Sequence, residues 1–258
     1  MAEKQTKNDS NDVEMPLIAH LKELRDRVLR CLYAVIAVFL SLVYFSKDIY
    51  EFIAAPMTEA LPEGTHMIAV DVATPFLAPF KLTLWVSFVI AMPIVLYQVW
   101  SFIAPALYRN EKRVAIPLFI SSVVLFYAGI AFAYFVVFDM VFRFFISISP
   151  DIIAPMPDIN SYLGFILKIF FAFGLTFEVP VATILLIWAG LISPQGLAEK
   201  RPYIIVGCLV VAMLLTPADV YSMILLAIPM WLLFEVGVFM GRWVQPVEKQ
   251  KKSDTANA

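Results

Sequence analysis

Apolar runs long enough to cross a lipid bilayer follow one another through most of the chain, separated by short polar stretches. Each run is read as a helix, because a lone strand in hydrocarbon cannot satisfy its own backbone polar groups. The first span is predicted over about Val28–Phe45, after the segment PLIAHLKELRDRVLR at 16–30. There Leu17, Leu21, Leu24 and Val28 recur at helical spacing, opposite His20, Lys22, Glu23, Arg25, Asp26 and Arg27. That spacing predicts an amphipathic helix on the membrane surface, leading into the span. Ser46–Pro75 is polar, with a short interfacial helix around Ile49, Phe52 and Ile53 ended by Pro56. Asp71 is placed to cap or orient the turn that follows. A second span lies between Lys81 and Arg109, kinked at Pro93, and a third runs from Val114 to about Phe138. The fourth covers Ser161–Ala189. Pro202–Ala218 and Val220–Phe234, uncharged for 17 and 15 residues, predict a fifth and sixth span shorter than a full crossing.

Charge fixes the orientation. Of the 19 Lys and Arg residues, 15 fall in segment 1–30, the loop Arg109–Arg113, the pair Lys200–Arg201 and the tail from Arg242. These segments alternate with the loops around Lys47 and Ser147–Asn160, so both termini are placed in the cytosol. Hydrophobic residues make up 61 % of the chain and charged residues 16 %, which excludes a soluble domain. The two cysteines, Cys31 and Cys208, have no metal-ligand spacing and cannot build a disulfide framework. The fold class is therefore all-α, a polytopic six-helix membrane domain over 16–243. Polar segments 1–15 and 244–258 are expected to be disordered cytosolic tails.

One carboxylate stands out. At about 1.5 Å per helical residue, Glu178 lies roughly 26 Å from Ser161 and 16 Å from Ala189. A charged group at such depth costs on the order of 2.5–3.5 kcal/mol on insertion scales. It must face a cavity, a partner or a hydrogen-bonding group. The alternative is that it caps backbone groups freed by the bend expected at Pro180. Lys168, ten residues earlier, is about 15 Å away along the axis and on another face, so the two do not pair within the helix.

Several polar motifs, in order along nearly the whole chain outside the tails, resemble the TatC family. They are HLKELRDR at 20–27, YQVWSFIAPALY at 97–108 leading to Glu111, FGLTFEVP at 173–180 and LTPAD at 215–219. Ala218 departs from a second proline common at that position in the family. The resemblance implies a six-helix, curved membrane receptor in the bacterial inner membrane. Such a receptor reads signals with two adjacent arginines, assembles with TatB, TatA and further copies of itself, and passes folded cargo using the proton-motive force. It implies no cofactor, no metal and no covalent chemistry. The family's signal-binding surface maps to Glu23 and Glu111, supported by Leu24, Arg25, Phe102, Leu107 and Tyr108. Pro56, Glu178 and Asp219 match positions of partner contact or assembly.

The residues agree with that implication. Two guanidinium forks at a membrane surface call for two carboxylates, since Arg–carboxylate bonds are charge-assisted and can be bidentate. Glu23 and Glu111 lie in successive cytosolic segments. Their alternative use is pairing with neighbours such as Arg25, Lys112 or Arg113. A rival reading is a proton- or ion-coupled transporter of small solutes built on Glu178, Lys168 and Asp219. The absence of an internal repeat and the two short final spans weigh against it. An intramembrane enzyme is disfavoured, because no span holds a histidine or an aspartate pair at depth.

Overall fold

The computed structural model describes residues 6–60, 66–107, 112–148, 156–215 and 220–243. Among these the chain is helical apart from turns and one isolated pair of extended residues. The helices are α1 (Thr6–Leu42), α2 (Ser46–Ala60), α3 (Thr74–Ile90), α4 (Met92–Leu107), α5 (Lys112–Phe132), α6 (Phe138–Ile148), α7 (Ile159–Phe177), α8 (Val179–Trp188), α9 (Pro194–Glu199), α10 (Arg201–Leu215) and α11 (Val220–Gly241). Four apolar stretches can each cross a membrane: Leu21–Ala55, Ile116–Phe142, Ile159–Trp188 and Met223–Gly241. Helices α3 and α4, bent by 50° at their junction, form a fifth when taken as one span, and α10 is a shorter apolar helix.

The element ends differ from the sequence expectations for identifiable reasons. The amphipathic segment and the first span form one uninterrupted helix, which runs back to Thr6 in the polar segment read above as a tail. A single 3₁₀ turn, Val43–Phe45, joins α1 to α2. Pro56 does not end α2, which continues to Ala60. Helix α3 starts at Thr74, well before Lys81, because Asp71 closes the turn ahead of it. The Asp71 carbonyl accepts the Thr74 N–H at 3.1 Å, and its carboxylate accepts that of Ala73 at 3.4 Å. Pro75 then sits in the first turn, where a missing N–H costs little. Pro93 falls in the first turn of α4, so the chain bends just before it, at Ala91.

The sixth helix corrects the expectation of a short span. Helix α11 passes Glu235 and reaches 22 residues. The Arg201 guanidinium donates to both Glu235 oxygens, at 2.6 and 2.8 Å. That pairing lets a carboxylate continue an apolar helix. Helix α10 remains short at 15 residues, about 22 Å against a hydrocarbon core of roughly 30 Å.

The chain divides into two units, residues Met1–Phe45 with Thr83–Phe119, and Ser46–Leu82 with Ile120–Ala258. In the first, α1 packs on α4, and Ala91, Met92 and Leu96 are buried. In the second, Phe126, Val137, Phe138 and Val141 are buried, as are Ile166, Ile169, Phe170 and Phe173 of α7. Close approach there depends on glycine: a Cβ on Gly129 would lie 2.6 Å from the Phe173 carbonyl oxygen. Small residues at helix contacts are the usual device where hydrophobic exclusion supplies no attraction between helices. Between α5 and α6, Ala133–Val137 form a π turn.

Two loops of the second unit are tied together. The Ile68 N–H donates to the Pro157 carbonyl at 3.0 Å, and the Ile159 N–H to the Ile68 carbonyl at 2.9 Å. Asp158 caps α7: its carboxylate accepts the Ser161 N–H and hydroxyl, both at 2.9 Å, and the Val70 N–H at 3.3 Å. These donors, the Ser161 N–H foremost, hold the Asp158 carboxyl below its ordinary range. A depressed folded-state pKa contributes stability that is complete above the unfolded value, near 3.8. It is lost as pH falls through the lower folded value. Asp158→Ala is therefore expected to lower the melting midpoint of the detergent-solubilised protein by the same amount at pH 6 and pH 8. The gap to wild type should narrow only below about pH 4.

Candidate functional site

The charged face of α1 is organised in pairs. Arg25 donates to Asp26 from Nε and Nη2, at 2.9 and 2.8 Å, and both side chains are exposed. Glu23 pairs with Arg27, one turn on, and both guanidinium contacts fall on Oε1, at 2.5 Å from Nη2 and 3.0 Å from Nε. So Glu23 does pair with a neighbour, but with Arg27 and not Arg25. Arg27 also reaches α4, donating from Nη2 to the Ser101 carbonyl at 3.0 Å and from Nη1 to Gln98 Oε1 at 3.4 Å. The Arg27 side chain is 17 % exposed and that of Glu23 43 %. One carboxylate thus stays reachable beside a clamped guanidinium.

Around this clamp, Leu24 is exposed on α1, and Phe102, next to Ser101, is half-buried on α4. Leu107 closes α4. Tyr108 and Glu111 lie outside the described residues, as does Asp219. Sequence reasoning placed Arg27 on the polar face but missed its part in joining α1 to α4. A signal was available: Gln98 is an amide inside an uncharged run, and such a group needs a partner.

Glu178 occupies the joint between α7 and α8. Its N–H donates to the Leu175 carbonyl and its carbonyl accepts from Ala182. The side chain caps neither helix, so the capping alternative is set aside. Instead Oε2 accepts a short hydrogen bond from the Ser122 hydroxyl on α5. Ser122 is buried, and Oε1 is a buried atom with no partner among the described residues. Pro180 does not kink the middle of a helix, because α8 restarts at Val179 and takes the proline in its first turn. Lys168 is exposed.

Pro56 acquires a physical role from its missing N–H, which removes the usual donor to the Phe52 carbonyl. The Tyr134 hydroxyl donates to that carbonyl at 3.4 Å, and the Tyr162 hydroxyl to the Ile53 carbonyl at 3.4 Å. Tyr134 also stacks on Phe52, with ring centroids 6.1 Å apart. The two hydroxyls seat α2 where proline has opened its ladder. Tyr134→Phe is expected to cost about 0.5–1.5 kcal/mol of stability. The loss should shrink when Pro56→Ala restores the N–H, as read from a double-mutant cycle of unfolding midpoints.

Among the described residues, no three His, Cys, Asp or Glu side chains gather into a metal site. The arrangement offers recognition groups: a reachable carboxylate at one place and a buried carboxyl at another.

Comparison with known proteins gives one answer. The family described as "Sec-independent protein translocase protein (TatC)" matches residues 19–229. The chain is 58 % identical to the Sec-independent protein translocase protein TatC of Azotobacter chroococcum, over 96 % of this chain and 98 % of that one. It is 56 % identical to the protein of that name from Escherichia coli K12, over 88 % of each. A crystal structure titled as the twin-arginine translocase receptor TatC superposes with a TM-score of 0.79 at 38 % identity. That match covers 87 % of this chain and 98 % of the other.

Proposed function

The chain belongs to the TatC family, and from that premise we propose that Glu23 and Glu111 receive the paired arginines of an export signal. It is a multi-span membrane component of the Sec-independent, twin-arginine protein translocase and acts there as a receptor. Small-solute transport through Glu178, Lys168 and Asp219 is the reading that this replaces. In the proposed arrangement the termini and the α4–α5 connection face the cytosol, as the distribution of Lys and Arg requires. Leu24, Arg25, Phe102, Leu107 and Tyr108 support the signal's apolar part. Pro56, Glu178 and Asp219 serve contacts with TatB, TatA and further copies of the chain. The protein binds and passes cargo, driven by the proton-motive force, without making or breaking covalent bonds.

The observation that carries this reading is the Glu23 carboxylate, reachable on α1 and held beside α4 by a clamped arginine. A simple positive-inside anchor needs no such carboxylate. The test is site-specific crosslinking of a twin-arginine signal to the Glu23→Ala, Glu111→Ala double variant, with cargo export followed in parallel. Signal contact is expected to be lost while TatB association persists. Undiminished crosslinking and export at normal protein levels would sink the assignment.

A further inference from the structure

We propose that Arg27 is an internal competitor at the signal site: it occupies Glu23 as a stand-in for a signal arginine, and binding exchanges one guanidinium for another. The proposal rests on the reading that Glu23 receives a signal arginine.

An ordinary i,i+4 pair on an exposed helix is weak, and both side chains swing in water. This pair is asymmetric. Arg27 is half-buried and pinned by the Ser101 carbonyl and Gln98 on α4, whereas Glu23 is the accessible partner. Two N–H groups of Arg27 converge on Glu23 Oε1. An incoming guanidinium can reproduce that planar two-donor grip, and a lysine ammonium cannot. Displacing Arg27 does not strand a buried charge either, because its acceptors on α4 remain. The exchange is therefore open to a ligand that supplies a fork, and unfavourable for one that supplies only a positive charge.

A resident partner lowers the apparent affinity of every ligand by the fraction of time the site is free. Removing Arg27 should then tighten binding of every ligand of the site by about the same factor. The experiment uses the full chain in lipid nanodiscs and two fluorescent peptides. One carries two adjacent arginines before an apolar segment, and the other carries two lysines in their place. Arg27→Gln is expected to bind the arginine peptide about three- to tenfold more tightly, from the usual weakness of such pairs. It should bind the lysine peptide with the same gain, leaving the preference for the fork, which Glu23 sets, unchanged. Arg27→Lys, which keeps the charge but not the fork, should show a smaller gain for both peptides.

Arg30→Gln separates this exchange from net charge, since an equal gain in that variant would overturn the proposal. So would unchanged or weaker binding in both Arg27 variants. Glu23→Gln tests the underlying reading alone. If it leaves wild-type binding of the arginine peptide intact, Glu23 is not the receiving group. If it weakens binding while the Arg27 variants gain nothing, only the role of Arg27 falls.

Discussion

Glu178→Leu is expected to stop export while the protein reaches the membrane at its normal level, and Glu178→Gln to keep a measurable part of it. The reasoning separates folding from function. Leucine leaves the buried Ser122 hydroxyl without its partner across α5 and α7. A helical serine can turn to a carbonyl of its own preceding turn, so the stability loss should stay near 1 kcal/mol. That is too little to empty the membrane of protein, and any large loss of export must come from the carboxyl itself. Glutamine retains an oxygen for Ser122 and adds a donor where Oε1 now sits without a partner among the described residues. Export assays with matched immunoblots would decide it. Equal, full export by Gln, Ala and Leu variants would make Glu178 incidental.

Charge reversal at the proposed signal site should be nearly as severe. Charge-assisted hydrogen bonds are typically worth about 1.5–3 kcal/mol, so losing one carboxylate should weaken signal binding roughly 10- to 100-fold. Glu23→Lys should be worse than Glu23→Ala, because it adds repulsion towards both the incoming arginine and Arg27. Glu111→Lys should behave likewise if both carboxylates contribute. Equilibrium binding of a twin-arginine peptide to each variant is the measurement. Equal affinity of the Lys and Ala variants at both positions would remove the charge argument.

The sequence made six apolar helices legible because hydrocarbon accepts few alternatives. It also exposed Glu178, whose depth follows from counting residues. Helix ends were less legible, and each miss traces to a partner distant in the chain. Glu235 looked like the end of a span because Arg201, which neutralises it, lies on another helix. Pro56 looked like a terminator because the hydroxyls that satisfy its neighbours' carbonyls come from Tyr134 and Tyr162. Glu23 was recognised as a candidate, but the i,i+4 spacing to Arg27 resembles any surface pair until Gln98 and Ser101 are seen beside it. The motif around 97–108 therefore held more of the site than its aromatic residues suggested.

The π turn at Ala133–Val137 has a consequence for length. Such a turn is a helix carrying one residue more than regular winding holds. Deleting any one of those five residues would let the ladder close as an α-helix. Winding the intact sequence as regular α-helix would instead rotate every side chain beyond it by about 100°, the angle of one residue in a 3.6-residue turn. Tyr134 and Phe138, four residues apart, now both lie against Phe170, with ring centroids 6.5 and 5.0 Å away. Deleting the exposed Phe135 or Val136 should therefore be better tolerated than deleting one residue from the regular turns of α5. The turn absorbs its extra residue, and so keeps the side of α6 that the second half of the span presents to α7.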